Sequence, residues 1–286
     1  MLFILLAMIC FVFQSLGNKE YAAHFPSGMP GLALFNALSL TLVTVAFAAL
    51  GGVKALPGPA LALAIAFGCI FVAYICISVK AMAAGPLSLT QLIINLSMVI
   101  PLLVSVFLWQ ERLTWMKGVG IACMVAVMVL ASGKGGEGKG FRWHWLALTL
   151  LAMVGSGSMS VLQKAFERGY TGSPVMPFLF WCFLTSAVLS WLWVALCALR
   201  KADFTPYRSK RLAASVLLMG LGTAGGNGFV MQALTQQPAV VVFPMALGGA
   251  VLAVWAFAAL RYRERVTLKT VATMAVGLAG LVLLAI

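Results

Sequence analysis

Ten apolar stretches follow one another along this chain, each about as long as the 20 residues that cross a bilayer as a helix. They are residues 1–20, 30–50, 58–79, 87–110, 115–132, 143–163, 176–199, 212–234, 238–260 and 268–286. Runs this long and this uniformly apolar do not suit the alternating strands of a membrane barrel. Nor can they be hidden in water. Only 9% of the 286 residues are charged and 63% are hydrophobic, too few charges to coat a soluble fold. The expected fold is therefore an all-α polytopic membrane protein with about ten transmembrane helices. Residues 1–17 have no Lys or Arg ahead of them and no clean small-residue cleavage site follows, so they read as the first membrane helix rather than a signal peptide.

The formal charge of +13 would suggest nucleic acid in a soluble protein. Here the basic residues fall in short gaps between apolar runs and form no groove-like stretch with interleaved aromatics. They read as charges flanking a membrane, and no nucleic-acid partner is expected. The expected partners are a small-molecule solute and the lipid bilayer, with a homodimer left open. Cys10, Cys69, Cys76, Cys123, Cys182 and Cys197 all lie in apolar runs without a Cys-x-x-Cys pair, and the histidines are His24 and His144. No metal site, cofactor or disulfide framework is expected from that set.

The chain divides near its midpoint. Residues 133–140 read Gly-Lys-Gly-Gly-Glu-Gly-Lys-Gly, a flexible polar linker. The expected organisation is a five-helix half at 1–132, a linker at 133–142 and a second five-helix half at 143–286. The halves echo each other. Glu111-Arg112-Leu113-Thr114 and Glu264-Arg265-Val266-Thr267 each follow a long apolar run and precede the last run of their half. Lys19 and Lys164 occupy corresponding places near the ends of the first runs, and each is followed by a proline, Pro30 or Pro177, before the next. An odd number of spans per half means that duplicated halves lie in opposite senses across the bilayer, as in many secondary transporters.

These features resemble the drug/metabolite transporter superfamily, in its ten-helix EamA type, over essentially the whole length. The two Glu-Arg-(Leu/Val)-Thr junctions resemble the family's Glu-Arg-Leu-Ser-like junction. Ser97 through Gln110, with Pro101 inside it, resembles a first-half helix, and Lys19 and Lys164 match a lysine common near the end of each repeat's first helix. The resemblance implies two inverted five-helix repeats around a central cavity, alternating access, and both termini in the cytoplasm. The charge count points the other way. Lys54, Arg112, Lys117, Lys164 and Arg168 fall in even-numbered gaps and the remaining basic residues in odd ones, which by the positive-inside rule puts both termini outside. The chain also departs from the pattern. The second half has Val254 where Pro101 would recur, with its proline at Pro244, and no acid lies in the first seventeen residues, as proton coupling in the small multidrug relatives would require.

A polar solute crossing an apolar shell must exchange its hydration for fixed dipoles. Mid-span polar residues are therefore the first suspects: Gln14, Asn36, Tyr74, Gln91, Asn95, Gln163, Asn227, Gln232 and Gln236. Amides both donate and accept, which suits neutral or zwitterionic metabolites. Their ordinary role is to bridge helices, and for any single amide that is the expected one. Gly220, Gly222, Gly225, Gly226 and Gly228 allow either an unwound segment or close helix contact. Pro101 and Pro244 each free a carbonyl one turn back, as a solute ligand or as a simple kink. Glu111 and Glu264, with Arg112 and Arg265 beside them, are expected to be structural, accepting the free amides at the start of the following helix. Lys19 and Lys164 either snorkel to headgroups, the favoured reading, or hold an anionic group.

The function expected is a secondary transporter of a small organic metabolite, such as an amino acid or an amphipathic compound, in a bacterial plasma (inner) membrane. No Walker-type loop is present for direct ATP use. The alternatives are a membrane-embedded lipid-modifying enzyme, for which no acid–base cluster stands out, and a non-transporting scaffold. An enzyme is not expected.

Overall fold

The structure is a computed structural model that describes residues 1–25, 28–84, 90, 93–94, 96–131, 143–207, 209–250, 252–253 and 268–285. Among these residues the regular structure is helical throughout. The helices are α1 (Leu2–His24), α2 (Met29–Phe47), α3 (Gly58–Ala84), α4 (Val99–Phe107), α5 (Trp115–Ala131), α6 (Trp143–Gly169), α7 (Val175–Leu199), α8 (Lys210–Leu234), α9 (Ala239–Phe243) and α10 (Leu268–Ala285). Among the described residues, six helices are long and apolar enough to cross a membrane: α1, α2 with its π-type extension to Gly52, α3, α6, α7 and α8. The Gly/Lys-rich linker lies outside the described residues.

Local chemistry sets the helix ends. Pro30 stands in the first turn of α2, where its missing N–H costs nothing. Pro174 and Pro238 hold extended backbone just ahead of α7 and α9. Ser209 caps α8, its hydroxyl accepting from Leu212 N at 3.2 Å. Gly51, at φ 81°, closes the π-type turn Ala48–Gly52 after α2.

The outward faces are apolar. Leu2, Leu5, Ile9 and Phe13 follow helical spacing on α1 and are all exposed, as are Val188, Trp191, Leu192, Leu196 and Leu199 on α7. Such stripes are a liability in water and the ordinary surface of a helix in lipid.

The packing runs across the two halves of the sequence. α1 packs on α8 and α3 on α6; α2 packs on α7 and α5 on α10; α7 also lies against α3, and α8 against α2. Direction can be read from the contacts. The Phe3 ring stacks on Phe229 at 6.3 Å, whereas Gly17 meets Ser215 and Met219, so α1 and α8 are antiparallel. Thr41 bonds Trp191 and Phe47 stacks on Phe183, so α2 and α7 are antiparallel too. Gly120 faces Leu284 while Cys123 faces Gly280, giving the same sense for α5 and α10. Both chain termini therefore lie at one end of the bundle. The core between α2, α3 and α7 is aromatic, with Phe47, Phe67 and Phe71 all packed around Phe183 at 5.7–5.8 Å.

α8 runs unbroken through its glycine cluster, and those glycines serve close approach: Gly225 faces Cys10 and Gly226 faces the Phe11 ring of α1. Pro101 sits in the first turn of α4, just after a 3₁₀ turn at Leu96–Met98 that follows helical residues 93–94, so the helical run is distorted one turn ahead of this proline. The carbonyl of Ser97, one turn ahead of it, packs toward Gly157 of α6. Pro244 also distorts its helix, opening the π-type turn Pro244–Gly248 directly after α9.

Candidate functional site

A chain of uncharged polar groups crosses the interior between α1, α8 and α6. Gln14 Nε2 donates to Thr223 Oγ1 at 2.9 Å. The Thr223 hydroxyl donates to the carbonyl of Met219 one turn back, at 2.7 Å. One turn further along α8, Asn227 Nδ2 donates to the Thr223 carbonyl at 2.9 Å, and Asn227 Oδ1 accepts from Gln163 Nε2 at 3.0 Å. Gln163 is 4% exposed and Thr223 fully buried. The small residues at 222, 225 and 226 explain why α8 can bring this line of groups against α1.

The other amides are placed differently. Asn36 is buried but turns its amide to Leu32 O in its own helix, at 2.8 Å. Tyr74 packs where α3 passes Gly155. Gln232 is half-buried and Gln236 exposed at the far end of α8. There, a recess of about 440 Å³ opens between Phe166, Glu167, Tyr170, Gln232 and Thr235. Gln91, Asn95, Glu264 and Arg265 lie outside the described residues.

Beside Gln163 the chemistry becomes ionic. Lys164 Nζ stands 2.8 Å from Glu167 Oε2 and 3.4 Å from Glu111 Oε1. The three side chains are 9%, 13% and 11% exposed respectively. Snorkelling is therefore not what Lys164 does. It is buried and paired because α6 continues past it for more than a turn, placing Glu167 on the same face. Lys19, its counterpart in the first half, is exposed. Arg168 points away from the cluster to Trp109 O, at 3.4 Å, and Arg112 is exposed.

Glu111 does accept helix-start amides, but not those of the helix that follows it. Its Oε1 accepts from Ala239 N at 3.2 Å and its Oε2 from Val240 N at 3.1 Å, in the other half of the chain. The local cause is the end of α4. Gln110 adopts φ 53°, in the left-handed region, and Glu111 N closes back on Ser105 O at 3.0 Å. That turn folds the carboxylate back toward α9 and away from α5. Two residues of these networks, Thr223 and Glu167, were not marked by sequence. The Lys164-x-x-Glu167 spacing was the available signal for the second.

No family model matches the chain, and no curated protein matches it. A protein of known crystal structure superposes with a TM-score of 0.78 over 99% of this chain and 94% of its own, at 18% identity. At that identity the likeness shows a shared fold.

Proposed function

We propose that the chain is a secondary transporter of the drug/metabolite type, built as two inverted five-helix repeats. It moves a small neutral or zwitterionic metabolite across a bacterial plasma membrane by alternating access. The observation that carries this reading is the exchange pattern of the helix contacts. If α1–α5 are swapped in order with α6–α10, the α1–α8 contact becomes α6–α3, and α3–α7 becomes α8–α2. The α2–α7, α4–α9 and α5–α10 contacts map onto themselves, and all of these packings are present. Antiparallel self-mapping pairs are what a two-fold axis in the membrane plane produces.

The amide chain supports the solute class. Gln14, Thr223, Asn227 and Gln163 bring no charge, yet both donate and accept. Each of their mutual bonds can be exchanged for one to a solute at little net cost, which suits a site that must release what it binds. Proteoliposomes of purified protein, tested with labelled amino acids and related polar metabolites under imposed ion gradients, provide the test. Uptake weakened by N227A through a higher apparent KM supports the reading. Absence of uptake for the whole panel under every gradient counts against it.

A further inference from the structure

We propose that Glu111, Lys164 and Glu167 form a latch that closes the solute path at the end of the bundle carrying the two termini. The inference rests on the alternating-access reading above and adds to it where, and by which groups, one side is shut.

Three elements from both halves meet at this point. Glu111 belongs to the end of α4, in the first half. Lys164 and Glu167 belong to the last turns of α6, and Ala239 and Val240 begin α9, in the second. A single carboxylate thus ties the end of α4 to the start of α9 and to α6. Lys164 follows Gln163 directly, so the ionic cluster begins where the amide chain ends. Anything leaving the amide chain toward this end meets α4, α6 and α9 held together.

The chemistry makes the tie reversible. Closed, Glu111 has two backbone donors and an ammonium, and Lys164 has two carboxylates. Opened, the same groups are the most readily hydrated side chains in the region, so water entering between the helices replaces each bond. An apolar contact has no such exchange available. The recess at Glu167, Tyr170 and Gln232 lies immediately outside and gives that water a place to enter.

Labelling from each face tests this without a known solute. In a background with the six cysteines removed, N227C is reacted with a charged, membrane-impermeant thiol reagent in oriented vesicles. With the latch intact, modification from the terminus-bearing face is slow. E111Q removes the charge and one acceptor; K164Q removes the ammonium and leaves the amide bonds, so one variant remains if the other folds poorly. Each is expected to raise the rate from that face about tenfold, the gain from raising a minor open state. The rate from the other face is expected to stay level or fall. Unchanged rates in both variants, or a rise equal from both faces, overturn the latch in favour of a fixed structural tie. Because labelling needs no transport, a latch that responds in a protein that moves nothing identifies failure of the transport reading separately.

Discussion

Gln163 and Asn227 sit on different helices and bond amide to amide at 3.0 Å in the interior of the bundle. A bridge that only holds helices together in a membrane contributes on average about 0.6 kcal/mol. A pair that binds solute does more. Q163A and N227A are each expected to raise the apparent KM for uptake about tenfold, the loss that follows when a buried partner goes unsatisfied. N36A serves as the comparison, since Asn36 bonds within its own helix. Uptake kinetics and thermal unfolding are measured together. Lower stability with unchanged KM in both variants reduces the pair to packing.

Lys164 holds two carboxylates, so its removal leaves both without their cation. K164M is expected to destabilise the protein by about 3–5 kcal/mol, the usual cost of breaking a buried ion pair from one side. Adding E167Q to K164M is expected to restore part of that loss, because the variant no longer buries two like charges. Unfolding in mild detergent gives both values. If E167Q deepens the defect, the cluster is not arranged around Lys164 as described.

How far the sequence reveals this depends on the range of each interaction. The apolar runs predict the six long helices closely, because membrane length and hydrophobicity are properties of contiguous residues. Glu111 was legible as a helix-start acceptor, since its charge and position carry that role. Its actual helix begins 128 residues later, and only the left-handed turn at Gln110 chooses between the two. Lys164 read as a snorkelling residue because nothing in its own neighbourhood shows Glu111 closing over it. Thr223 carries no signal in the sequence because a helical threonine ordinarily donates to the carbonyl one turn back in its own helix. It does so here as well, and also accepts from Gln14.

Cys69 and Cys182 separate lipid from protein interior. Cys69 is exposed midway along α3, and Cys182 is fully buried among the rings of α7. In vesicles, a photoactivated lipid-soluble probe, which needs no thiolate, is expected to label Cys69 and not Cys182, while a charged maleimide, which needs one, labels neither. Single-cysteine variants read by mass spectrometry give the result. Rapid modification of Cys69 by the charged reagent places the middle of α3 in water and removes it from the bilayer.

Gly17 and Gly118 lie in apolar helices but differ in their surroundings. A Cβ on Gly17 would stand 2.5 Å from Met219 N and 2.8 Å from Ser215 O, which are backbone atoms of α8 that cannot turn aside. A Cβ on Gly118 meets nothing within 4 Å. Replacing glycine by alanine inside a helix ordinarily gains about 0.5–1 kcal/mol from reduced backbone freedom. G118A is expected to show that gain or no change. G17A must push α1 from α8 and is expected to lose about 1–3 kcal/mol, the range for overpacked interiors. Because Gln14 lies one turn from Gly17 and bonds Thr223 across the same interface, G17A is also expected to impair uptake, whereas G118A leaves it intact. Unfolding and uptake on the two variants decide the point. A G17A protein as stable and as active as G118A means that α1 and α8 do not approach as closely as the amide chain between them requires.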